Sequence, residues 1–101
     1  MTPTMLPLEK GFPTGSQGTT LVLMVCSDWL WAGLYASPHS AAPAEVAASA
    51  RLTATAGNRE LTVGGHRFAV SNASLQSIRR WLDRNGVRVR LRAMAEPRAR
   101  A

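Results

Sequence analysis

The chain has 101 residues, 46% hydrophobic and 18% charged, proportions that exclude a disordered polyelectrolyte and fit one globular domain. Twelve Lys and Arg against six Asp and Glu give a formal net charge of +6. The single cysteine, Cys26, excludes an intramolecular disulfide and a cysteine-built zinc site, and leans toward a reducing, cytoplasmic setting.

The charge is unevenly placed. Residues 1–50 hold one cation, Lys10, against Glu9, Asp28 and Glu45. Residues 51–101 hold eleven arginines against Glu60, Asp83 and Glu96. Such a basic half raises the local concentration of polyanions. Arginine also offers a planar donor fork that suits phosphate or carboxylate better than an ammonium does.

Pro3, Gly11, Pro13, Gly15 and Gly18 punctuate residues 1–19 and predict an extended N-terminal arm rather than a packed element. Leu6, Leu8 and Phe12 would let that arm dock on a neighbour. Residues 20–94 are expected to form a single α+β domain, and residues 95–101 a basic, frayed tail.

Leu21 to Ala36 is the strongest apolar run. It falls short of the roughly 20 residues a membrane helix needs, and Asp28 interrupts it. Lys10 is the only cation ahead of it, and Asp28 would break a signal-peptide core. A β-hairpin fits better, with a helix over 29–36 left open because so short an apolar run has no decisive period. Thr20 to Val25 and Trp29 to Tyr35 are rich in strand-forming types, and Ser27-Asp28 supplies the turn. In this setting Cys26 reads as a small buried hydrophobe.

Pro43, with Ser40 ahead of it and Glu45 after it, predicts a helix over 43–52 in an alanine-rich stretch. Next, Gly64-Gly65 joins Arg59–Val63 to His66–Val70 as a two-residue hairpin. In that register Val63 faces His66 and Leu61 faces Phe68, so one face is apolar. The other face shows Glu60, Thr62 and Arg67. Leu75, Ile78 and Leu82 then recur at helical spacing between caps at Ser71–Ser74 and a stop at Asn85-Gly86. The sequon Asn72-Ala73-Ser74 is read as part of that cap rather than as a glycan acceptor. Finally Val87 to Arg92 alternates strictly, with Val87, Val89 and Leu91 on one face and three arginines on the other.

The expected fold is α+β, an antiparallel sheet of about five strands with two helices on one face. Catalytic chemistry finds little support. His39 and His66 are the only imidazoles available as a base, and no family signature surrounds them or Cys26. The carboxylates are isolated, metal-ligand spacing is absent, and Gly64-Gly65 joins strands instead of opening a helix as a phosphate loop would. No cofactor or metal is expected.

The arginines remain. Arg79, Arg80 and Arg84 on the helix, with Arg88, Arg90 and Arg92 on the last strand, form the candidate polyanion-binding set. The expected function is non-enzymatic binding of nucleic acid or a nucleoprotein complex, by phosphate contact rather than base stacking. An inhibitor or adaptor acting on an acidic protein surface is the alternative, in a layout common among bacterial, phage and mobile-element accessory proteins. The same arginines would also keep an apolar protein soluble and blunt an edge strand.

Overall fold

A computed structural model describes residues 8–37 and 39–92. The expected tail at 95–101 and Leu6 lie outside the described residues. The first half builds one sheet. Strands β1 (Leu8–Pro13), β2 (Thr20–Cys26), β3 (Trp29–Tyr35) and β4 (Glu45–Ser49) run as an antiparallel meander in sequence order. The second half builds another from β5 (Thr53–Gly57), β6 (Glu60–Val63), β7 (His66–Ala69), helix α1 (Asn72–Arg84) and β8 (Arg88–Leu91). Its strand order is β7-β6-β5-β8, and β8 runs parallel to β5.

The α+β class holds, but its layout differs from the expectation. Two four-stranded sheets replace one of five strands, and the described residues contain one helix rather than two. The predicted helix over 43–52 is instead strand β4 and the turn into β5. β4 sets Ala47 opposite Ala32, Val46 opposite Gly33, and Ala48 opposite Trp31. Small side chains on β4 thus meet an indole on β3. Alanine's helix preference is only a few tenths of a kcal/mol per residue over most types. Completing the ladder beside β3 outweighs it.

The N-terminal arm needs the same correction over residues 8–13. β1 pairs along its whole length with β2, from Leu8 opposite Val25 to Pro13 opposite Thr20. Pro13 is compatible with this because it ends an edge strand. Phe12 is buried and meets Trp81 of α1 edge-on, with ring centroids 6.0 Å apart. Burying an aromatic ring secures the arm, despite its density of breakers.

Both predicted hairpins form. Cys26 pairs with Trp29 across Ser27-Asp28, and Val63 with His66 across Gly64-Gly65. The first hairpin, however, exposes Cys26. Alternation along β2 buries Leu21, Leu23 and Val25, so the even-numbered Cys26 must face away. α1 starts at the Ser71 cap, whose side chain accepts from the Ser74 backbone N–H, and Gly86 follows its end at φ 83°. Asn72 is engaged internally: its Oδ1 accepts from the Arg59 N–H at 2.9 Å and its Nδ2 donates to Asn58 at 3.1 Å.

One core joins these parts. Leu21, Leu23 and Leu30 from the first sheet, Leu61 and Phe68 from the second, and Ile78 and Leu82 from α1 are all fully buried in a single cluster. The two sheets also touch where the β6–β7 turn lies on β4. Gly64 has φ 57°, and a Cβ there would overlap the Ala48 carbonyl. Only glycine satisfies both the left-handed backbone and that approach.

Phe68→Ala should cost about 3–5 kcal/mol, because the ring is fully buried in the core and its loss leaves a void there. Urea melts would measure it, and a loss under about 1 kcal/mol would contradict this packing. Gly64→Ala should destabilise by more than the ordinary penalty of about 1 kcal/mol for left-handed alanine, whereas Gly65→Ala, with nothing within 4 Å of its added Cβ, should cost only the backbone term.

Candidate polyanion-binding face

The geometry of the second sheet follows from which side α1 covers. Ala54, Ala56, Leu61, Val63, Phe68 and Val87 are buried, and Val89 packs against the same core. Successive side chains on a strand point to opposite faces. Thr53 and Thr55 on β5, Glu60 and Thr62 on β6, Arg67 on β7 and Arg88, Arg90 and Arg92 at β8 therefore share the face away from α1.

Register arranges them in rows. Arg88 lies beside Thr53, and Arg90, Thr55, Thr62 and Arg67 stand side by side across four strands. Ladder spacing of about 4.8 Å separates Arg90 from Arg67 by roughly 14 Å, and Arg88 stands about 7 Å from Arg90 along the strand. Arg67, Arg88 and Arg90 are exposed, while the threonines between them are partly buried. The carboxylate of this face, Glu60, accepts from Arg92 Nη1 at 2.5 Å in a surface ion pair. Arg92 is therefore already partnered, whereas no salt bridge engages Arg67, Arg88 or Arg90 among the described residues.

The helical arginines lie elsewhere. Arg79 and Arg80 line an open groove of about 550 Å³ with Gln76, Asp83 and Val89. Asp83 places a negative charge in that groove. Arg80 and Arg84 also line a smaller depression of about 160 Å³ with Lys10, Ser77 and Trp81. The six arginines anticipated as one set thus divide into two trios on opposite sides of the sheet.

Two further arginines join the strand trio's neighbourhood. Arg67 completes the row begun by Arg90, a placement implied by the hairpin alternation. Arg51 lies between β4 and β5 and lines a concavity of about 330 Å³ together with Arg90. Reading residues 43–52 as helix hid Arg51, because its position depends on the turn that replaces that helix.

The groups expected to lack catalytic organisation are placed as follows. Cys26 is exposed at a hairpin end, and His66 Nε2 lies 2.7 Å from Glu45 Oε1. Among the described residues no group of three or more His, Cys, Asp or Glu could hold a metal ion, and no helix is long and apolar enough to cross a membrane. No protein-family model matches the chain, and no curated protein or solved structure is significantly similar to it.

Because Cys26 is exposed, a thiol reagent should label the native protein at a rate within about tenfold of the unfolded chain. Slow native labelling would contradict the outward placement. Arg92→Gln should cost no more than about 1 kcal/mol in a thermal or urea melt, since its ion pair is solvent-exposed.

Proposed function

We propose that the protein is a non-enzymatic binding module that engages a polyanion, nucleic acid or a nucleoprotein complex, through the arginine-bearing face of the second sheet. One observation carries this reading: Arg67, Arg88 and Arg90 share an open face with threonine hydroxyls, and the only carboxylate among the residues placed there, Glu60, is occupied by Arg92. Guanidinium groups donate hydrogen bonds and keep their charge at any physiological pH. They bind and orient an anion but supply no base, which supports binding rather than catalysis. The spacing across the sheet suits several phosphates of an extended strand, and the face carries no aromatic ring for base stacking. Contact would then be with the backbone and indifferent to sequence.

A second reading, a protein target with an acidic surface, is favoured by a different feature. Trp29 and Val46 on the first sheet are 52% and 54% exposed, and exposed aromatic anchors are typical of protein interfaces.

Salt separates the two. Retention of the parent on heparin or a mixed-sequence oligonucleotide should fall with a log–log slope of about 0.9 per phosphate neutralised. The Arg67→Gln, Arg88→Gln, Arg90→Gln triple variant should lose up to about three units of that slope, with equal losses on every sequence. Arg92→Gln alone should change it little. Folded variant protein that binds as the parent does would leave these arginines a role in solubility only. A parent that ignores polyanions at low salt, yet loses a protein partner on Trp29→Ala, would establish the second reading instead.

A further inference from the structure

The concavity lined by Arg51 and Arg90 has a composition of its own. Ser49, Thr53, Thr55 and Thr62 line it together with the two arginines and the Gly64-Gly65 turn. Among the described residues, every polar side chain lining it can donate a hydrogen bond and none is a carboxylate. The wall is fixed in place, because Gly64 rests on the Ala48 backbone with no room for a side chain. Arg51 sits in a tight link, where the Thr53 N–H donates to the Arg51 carbonyl at 2.8 Å and the Arg51 N–H donates to Ser49 Oγ at 3.3 Å.

Thr62 supplies the second, independent observation. Its hydroxyl oxygen is buried and has no hydrogen-bond partner among the described residues. Buried polar atoms are nearly always paired, so an orphan in a functional-looking hollow calls for an explanation. Thr62 also lines the concavity, so rotation about its χ1 bond would turn the hydroxyl out to a ligand oxygen able to accept its proton.

We infer that this concavity is a seat for a single phosphoryl group, with Arg51 and Arg90 as its charge partners and Thr62 as a hydroxyl donor. Phosphate suits the lining better than a carboxylate does. Its oxygens point in several directions and can accept from two guanidinium forks and from hydroxyls at once, whereas a carboxylate offers two oxygens whose acceptor sites lie in one plane. The group could belong to a nucleic-acid backbone or to a free phosphomonoester; the recognition chemistry is shared. The inference rests on the reading of this face as anion-binding, and it adds a defined position that the exposed row of arginines lacks.

Amide chemical-shift titration of the full chain tests it, with inorganic phosphate as the probe and chloride adjusted to hold ionic strength constant. The amides of Thr62, Gly64 and Gly65 should shift saturably. Arg51→Gln should weaken phosphate by about tenfold, the usual effect of losing one charge-assisted hydrogen bond. Thr62→Val keeps the side-chain shape and should weaken it by a smaller factor, while Arg79→Gln on the helix side should leave it unchanged. Melts of each variant establish that the fold is intact. A parent without saturable shifts at the turn, or a folded Arg51→Gln variant that binds phosphate as the parent does, would overturn the seat.

An oligonucleotide and a nucleoside monophosphate then distinguish the two sources. Saturation of the same amides by the oligonucleotide, weakened by Arg51→Gln, assigns the seat to a backbone phosphate. Saturation by the monophosphate with no competition from the oligonucleotide assigns it to a free phosphomonoester. Oligonucleotide binding that depends on Arg67 and Arg88 but leaves these amides unmoved would sink the seat while the proposed function stands.

Discussion

The arrangement of the second sheet hangs on one constraint of parity: Val87 and Val89 must face α1 for the helix to cover an apolar surface. Strand side chains alternate, so turning these two valines inward turns Arg88 and Arg90 outward. A one-residue slip would bury two arginines beneath the helix and expose both valines, a large penalty that locks the register. The parallel partner β5 obeys the same rule, with Ala54 and Ala56 inside and Thr53 and Thr55 outside. The charged face is thus the reverse side of the core, and it cannot be altered in direction without dismantling what holds the helix.

The first sheet meets the same rule with different chemistry. Its inner residues Leu21, Leu23, Leu30 and Ala32 are buried, but its outer positions include Val22, Met24, Trp29, Trp31 and Val46 instead of a polar set. β2 therefore reads as a continuous apolar run where the strands of the second sheet alternate. The two sheets differ in charge as well, since the strands of the second carry Arg67, Arg88 and Arg90 and those of the first carry Lys10 as their one cation. Besides sharing the core, the two sheets meet where Gly64 reaches the Ala48 backbone and where His66 reaches Glu45. Closeness at the first of these points depends on glycine leaving the backbone bare.

Local signals made much of this legible from residues alone. Gly64-Gly65 between two alternating segments set the hairpin and its register. Ser71 and Gly86 bounded α1, and the Val–Arg alternation located β8 and its two faces. What stayed hidden depends on partners distant in the chain. Alanine-rich 43–52 has helical preference, and only the vacant side of β3 makes it a strand. Phe12 sits among glycines and prolines, and the distant core, with Trp81 of α1 against its ring, gives it somewhere to bury. For the site, the strand arginines were legible because alternation is local. That α1 and β8 send their arginines to opposite sides was not, because it depends on which face of the sheet the helix crosses. Cys26 was misjudged for a simpler reason, since an apolar neighbourhood in sequence says nothing about which of two faces is buried.

The parallel pairing of β8 with β5 has a consequence in time. Its partners, such as Thr53 and Arg88, are separated by a hairpin and the whole of α1, whereas the strands of both hairpins meet across two-residue turns. Contacts of long sequence separation are costly to close and form late unless a nucleus brings them together. The β2–β3 and β6–β7 hairpins and the capped helix can all form from local contacts. The row joining Arg90 to Arg67 cannot, because it exists only after β8 has docked. A nascent or partly unfolded chain would carry the same charge as the native protein, yet it would present that charge as a diffuse, flexible cation. The ordered array of donors therefore exists only while β8 is paired with β5, and it is lost when that strand detaches.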